Sequence, residues 1–162
     1  MRSLFSPESK NVFDRLEETD SSYEKGFQLH KRVNHVFSEA IRVLQFKEIC
    51  VESKNVTELG CLMNASHDSL RDLYECSCKE LDELVVLCRT SGALGSRLTG
   101  AGWGGMVVSM VCSDEVDRFM RTLAGSDFYA SRLQLTDGNV IENFETILFS
   151  TRPSTGASYG YL

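Results

Sequence analysis

Four of the twelve glycines in this 162-residue chain fall within six residues, inside the run Arg97-Leu-Thr-Gly-Ala-Gly-Trp-Gly-Gly-Met106. Glycine loses more backbone entropy on folding than any other residue. Such a cluster therefore stands where the chain must take positive φ or lie close to another backbone or a phosphate. Two readings of the residues stay open, a glycine-rich hairpin turn and a loop whose backbone receives phosphate. Three familiar phosphate loops are excluded. Gly100, Gly102 and Gly105 satisfy G-x-G-x-x-G, but the dinucleotide fingerprint leads straight into a helix, and here an apolar, β-branched run follows. A protein-kinase glycine loop needs a lysine on the next strand, and the last lysine of the chain is Lys79. The terminal Gly-Lys-Ser/Thr of a P-loop is absent.

The elements that must hold this loop can be read from periodicity and caps. Ser21-Ser22-Tyr23-Glu24 reads as a capping box. The apolar positions Leu29, Val33, Val36, Ala40 and Val43, with Phe37, Ile41 and Leu44 beside them, predict a long helix to about Val51 with a wide buried stripe. Asn55 and Glu58 open a second helix with Val56, Leu59, Leu62 and Met63 on one face, continuing or restarting over His67 to Tyr74. Ser77 and Glu80 form a third capping-box pattern before Leu81, Leu84, Val85 and Cys88, and Gly92 marks the stop. A strand is expected within Ala93 to Thr99 and another over Met106 to Val111, with the glycine loop between them. A helix over Asp114 to Leu123 capped by Ser113, a turn at Asp137-Gly138 and a final strand Glu145 to Ser150 complete the reading. This order predicts an α+β fold, an antiparallel sheet with helices packed on one face. Residues 1–20 read as a lead-in, 21–153 as the domain and 154–162 as a loose tail.

Composition narrows the function classes. The chain is 42% hydrophobic and 25% charged, in the globular range. Residues 1–54 carry nine Lys or Arg and nine Asp or Glu, and the remainder eight and fourteen, so no basic excess invites nucleic acid. No run reaches the roughly 18 to 20 apolar residues of a membrane span, and no secretory signal is evident, so a cytoplasmic protein without membrane partners is expected. Six cysteines then read as free thiols, and Cys76-Ser-Cys78 lacks the second pair a zinc site needs, so no metal ligand is assigned.

Three blocks together carry a family resemblance. Leu98-Thr-Gly-Ala-Gly-Trp-Gly-Gly105 resembles the third signature of the GHMP kinases. Leu59-Gly-Cys-Leu-Met-Asn-Ala-Ser-His-Asp-Ser-Leu-Arg-Asp-Leu-Tyr74 resembles the helical segment that precedes this loop in galactokinases. Arg32-Val-Asn-His-Val-Phe-Ser-Glu-Ala-Ile-Arg-Val-Leu44 resembles a third galactokinase pattern. The blocks keep the family order, and Trp103 with Asp72 to Ser77 is most similar to the N-acetylgalactosamine kinase branch. Met106 stands where galactokinases usually have Cys, and Pro153 to Ala157 replaces a run of glycines.

The resemblance implies the carboxy-terminal domain of an ATP-dependent sugar kinase, a ferredoxin-like sandwich, acting on the 1-hydroxyl of galactose or N-acetylgalactosamine. Its alternative is a non-catalytic sugar and nucleotide sensor that binds a regulatory protein. The implied cofactors are ATP and Mg, bound mainly by an amino-terminal half that would also be this chain's partner. The implied nucleotide loop is Thr99, Gly100, Ala101, Gly102, Trp103, Gly104 and Gly105. The family's sugar-gripping, ATP-cradling and catalytic Asp motifs do not occur in these residues, so the chain is expected to be inert alone and no catalytic residue is assigned. His35 and His67 read as hydrogen-bonded structural residues. Arg71 and Arg97 could approach phosphate, though Arg71 is as easily an ion-paired helix residue, and neither is assigned a catalytic role. Trp103 is expected to pack on the amino-terminal half, and Met63, Met106, Met110 and Met120 to face the core.

Overall fold

The computed structural model describes residues 28–133 and 144–153. The Ser21 capping box, the Asp137-Gly138 turn, the lead-in 1–20 and the tail 154–162 lie outside the described residues. Helix α1 spans Leu29–Val51, α2 Val56–Ser69, α3 Lys79–Thr90, α4 Val116–Ala124, α5 Asp127–Leu133 and the short α6 Phe144–Ile147. A two-stranded antiparallel sheet pairs β1, Gly95–Thr99, with β2, Met106–Met110, in a register that sets Gly95 opposite Met110 and Thr99 opposite Met106. The architecture is α+β, as expected.

Local chemistry explains most of the boundaries. Asn55 caps α2 by accepting from the N–H groups of Thr57 and Glu58, and its side-chain amide donates to Glu58 Oε1. α3 ends at Thr90, and Gly92 follows at φ 112°. The expected Ser77 cap is not formed. Cys78 is the N-cap residue of α3, with no side-chain cap, because the Ser77 hydroxyl donates instead to Asp82 Oδ1 at 2.6 Å. Ser113 likewise does not cap α4, which begins after an uncapped Glu115.

The final strand is also replaced. Phe144–Ile147 is helical and residues 148–151 are irregular, because a strand needs a ladder partner and, among the described residues, β2 pairs only with β1. Leu148 packs instead beside the cluster of Cys88, Phe119, Leu123 and Tyr129.

α2 lies directly on β1. A Cβ on Gly60 would come within 2.3 Å of the Leu94 carbonyl oxygen, and one on Gly95 within 2.4 Å of the Gly60 oxygen. Asn64 strengthens this seam, its Oδ1 accepting from Ser96 N–H at 3.0 Å. Beyond Ser69 the helix opens into a π-helical turn, Leu70–Tyr74, closed by Glu75 in the left-handed region at φ 61°.

The expected buried stripe of α1 faces outward. Phe37 is 66% and Leu44 67% exposed, and Leu29, Val33, Val36, Ile41 and Val43 are exposed with them. The inward line is polar, with Arg32, His35, Glu39 and Arg42 turned toward α2 and the π turn. Periodicity locates an apolar face but does not say which part of a protein covers it. Met106, expected in the core, is 51% exposed, while Met63, Met110 and Met120 are half-buried.

Candidate functional site

The glycine loop connects β1 to β2, and β2 starts at Met106 with no helix after Gly105. That settles the dinucleotide alternative against a helix-led fingerprint. The loop runs through positive φ at Gly100 (90°), Gly102 (90°), Trp103 (55°), Gly104 (140°) and Gly105 (96°). Trp103 takes a conformation that costs a residue with a Cβ about 1–2 kcal/mol.

The glycines differ in their surroundings. A Cβ on Gly102 would meet Cys76, with the carbonyl oxygen at 2.4 Å and Cβ at 2.9 Å, whereas a Cβ on Gly100 or Gly104 would meet nothing within 4 Å. One side of the loop is therefore pressed on residue 76, and the other presents bare backbone to open space. Trp103 N–H donates to the Cys76 carbonyl at 2.6 Å, so that donor is already engaged. The indole is 66% exposed and tilts against Tyr74, with ring centroids 6.4 Å apart, and Tyr74 in turn packs on His35 at 4.9 Å. Thr99 and Ala101 are exposed at the margin of the loop.

Beneath the loop, His67 from α2 is 1% exposed and accepts the Leu98 N–H on Nδ1 at 3.3 Å, which fixes the end of β1 just before Thr99. Its Nε2 lies 3.2 Å from Asp82 Oδ1 without the alignment of a hydrogen bond. Burial holds the His67 pKa below its usual value against the opposing pull of Asp82, so the ring is neutral at pH 7. His35 is lowered too, chiefly by burial, and bonds Ser69 Oγ at 2.9 Å through Nδ1. Both histidines are buried and hydrogen-bonded within the fold.

Arg97 donates to the Leu98 carbonyl at 3.1 Å and pairs with Glu39 at 3.4 Å, and Arg71 pairs with Asp72 at 2.8 Å. Burial is the largest influence on Glu39 and pushes its pKa up. The hydrogen bonds from Ser66 and Arg42 and the charges of Arg42 and Arg97 outweigh it and hold the carboxyl below its usual range. Sequence reasoning passed over Glu39 and Ser66 as partners, because they meet across α1 and α2, 27 residues apart.

Two concavities border this region. A cleft of about 220 Å³ between α1 and α2 is lined by Glu39, Arg42, Ser66 and Arg97 with apolar neighbours. A groove of about 770 Å³ starts at Thr99, Gly104 and Gly105 and runs along β2 to Phe119 and Leu148. The groove touches the loop but is walled mainly by apolar side chains, so it offers shape with little charge. Among the described residues no group of three or more His, Cys, Asp or Glu side chains gathers as a metal site would require. No helix among them is long and apolar enough to cross a membrane, and all six cysteines are free thiols.

Helices packed on a strand–glycine loop–strand unit define an α+β domain. Residues 46–130 match the family profile described as GHMP kinases C terminal, and the chain belongs to that family. It is 42% identical over 151 residues to a galactokinase of Dictyostelium discoideum, covering 81% of this chain and 29% of the relative. It is 32% identical over 139 residues to a galactokinase of Saccharomyces cerevisiae, covering 80% and 26%. The fold superposes on Lactococcus lactis galactokinase complexed with galactose at a TM-score of 0.58 and 26% identity, covering 83% of this chain and 40% of that one. It also superposes on L. major mevalonate kinase in complex with R-mevalonate at a TM-score of 0.52 and 29% identity, covering 77% of this chain and 36% of that one. The chain thus spans less than a third of the length of these curated relatives.

Proposed function

We propose that this chain is the carboxy-terminal part of a cytoplasmic, ATP-dependent sugar kinase that phosphorylates the 1-hydroxyl of galactose or N-acetylgalactosamine. The observation that carries the reading is the glycine loop, with bare backbone at Gly100 and Gly104 facing open space on a domain whose relatives are galactokinases. The loop takes positive φ at five residues, a backbone path open to glycine that lets another group approach closely. ATP, when bound, supplies the phosphoryl group. Thr99, Gly100, Ala101, Gly102, Gly104 and Gly105 would line its phosphates or brace the segment that does, and Trp103 would cover the loop with its indole. Mg would be held mainly by the amino-terminal half.

Phosphoryl transfer depends on positioning and on charge stabilisation. This chain's part is to hold rigid backbone donors at the end of β1, anchored by His67 and Cys76. The exposed apolar face of α1 is the docking surface for the amino-terminal half, consistent with relatives of which this chain covers 29% and 26%.

The test is ADP release with galactose and with N-acetylgalactosamine, from residues 1–162 alone and from a longer protein that carries the amino-terminal half. Turnover is expected only from the longer protein. Activity from residues 1–162 alone would overturn the dependence on another half. A longer protein that binds sugar and ATP yet turns over neither sugar would favour the sensor.

A further inference from the structure

Among the described residues, the backbone hydrogen bond that ties the interior of the glycine loop to the rest of the fold runs from Trp103 N–H to the Cys76 carbonyl. Cys76 therefore decides where the middle of the loop sits, and Gly102 is pressed against the same residue. What places Cys76 is the corner just before it. Glu75 adopts φ 61° and ψ 39°, a left-handed conformation normally left to glycine at the end of a helix. The N–H groups of Glu75 and Cys76 both donate to the Leu70 carbonyl, which closes the π turn.

Two cations from α1 hold this corner. Lys31 Nζ lies 2.7 Å from Glu75 Oε1, and Arg32 Nη2 lies 2.7 Å from Glu75 Oε2. Arg32 Nη1 also donates to the Leu73 carbonyl, and its guanidinium sits 5.8 Å from the centre of the Tyr74 ring. The fork thus binds a backbone carbonyl and a carboxylate on either side of Tyr74, a geometry a lysine cannot copy. Exposed ion pairs add little to global stability, so this arrangement is better placed to select a local conformation than to hold up the fold.

We propose that Arg32 and Glu75 are positioning residues for the glycine loop. Through the left-handed corner at Glu75 they aim the Cys76 carbonyl at Trp103 and so set the backbone that faces the phosphates. The link to phosphates rests on the function proposed above. The link from α1 to the loop does not.

Trp103 is the only tryptophan of the chain, so fluorescence reports the loop directly. The experiment measures Trp103 emission, its quenching by acrylamide and amide hydrogen exchange at Trp103 in residues 1–162, for Arg32→Ala, Glu75→Gln and Arg71→Ala. Arg71 belongs to the same π turn but pairs with Asp68 and Asp72, so it serves as the control. Arg32→Ala and Glu75→Gln should speed Trp103 exchange roughly tenfold and alter quenching with far-UV circular dichroism unchanged, while Arg71→Ala changes neither. Arg32→Lys should restore less than half of the lost protection. Should Arg32→Ala fail to fold, the exposed Glu75→Gln carries the test. Wild-type exchange and quenching in Glu75→Gln would overturn the proposal. In the longer kinase the same variants should raise KM for ATP. A changed Trp103 signal with unchanged kinetics would leave the positioning role standing and overturn the phosphate role of the loop.

Discussion

α3 and α1 treat their apolar residues in opposite ways. In α3, Leu81 is buried beside Leu98, Cys88 beside Phe119 and Leu123 of α4, and Val85 is buried as well, while Lys79, Glu80 and Glu83 are exposed. In α1 Arg32, His35 and Glu39 point inward and form its contacts with α2 and the π turn, while Val36, Phe37, Ile41 and Leu44 lie in the open. The difference teaches that an apolar stripe commits a helix to being covered without naming the cover. α3 is completed within this chain, whereas α1 joins two neighbours and is completed by one side alone.

The largest expected effect lies in the completed interior. Leu98, 1% exposed beneath the loop, should lose about 2–5 kcal/mol of stability as Leu98→Ala, measured by urea unfolding. A loss under about 0.5 kcal/mol would mean that the interior is as incomplete as the outer face of α1.

The loop should split next. Gly102→Ala must displace Cys76 and take a strained φ, for a cost of about 3 kcal/mol, whereas Gly104→Ala suffers only the strain of its φ, about 1 kcal/mol. If the proposed kinase function holds, Gly102→Val in the longer protein should lower kcat/KM by on the order of a hundredfold. Equal costs at the two glycines would remove the distinction between the pressed and the open side of the loop.

Acid should weaken the interior through its histidines. His35 and His67 have lowered pKa values, so their contribution is fully present above the ordinary histidine pKa near 6.5 and is lost as pH falls through their folded values. Each can contribute a slope of at most about 1.4 kcal/mol per pH unit. Unfolding at pH 7.5 and 5.5 should show this decline, and a double His35→Gln, His67→Gln variant should show less of it. An unchanged slope would mean that neither ring is buried neutral.

The smallest effect belongs to the outer face of α1. Phe37→Gln and Leu44→Gln should change the stability of residues 1–162 by no more than about 0.5 kcal/mol, yet each should cost about 2 kcal/mol or more in a longer kinase that covers them. A large loss in residues 1–162 themselves would show that α1 is already covered.

Elements set by local chemistry are legible in the sequence. The Asn55 cap with Glu58, the β-branched run of β2 and the loop between two strands all depend on neighbours within a few residues. The Ser77 cap was misread because Asp82, five residues on, competes for the hydroxyl. The stretch 145–150 was misread because strand propensity does not supply a pairing partner. The site was legible as a loop but not as a device. The contrast between Gly102 and Gly104 arises from Cys76, and the corner at Glu75 from charges 43 and 44 residues away.

The contact between Gly60 and Gly95 has a consequence for heredity. Most packing partners can trade volume, a loss on one side offset by a gain on the other. Here a Cβ on Gly60 collides with the main chain of Leu94 and one on Gly95 with the main chain of Gly60, and shrinking a neighbouring side chain frees nothing because the obstacle is backbone. The pair therefore cannot drift together. A library randomised at both positions and selected for folding should return Gly–Gly and no compensated combinations, so the two sites leave no covariation signal despite being in direct contact.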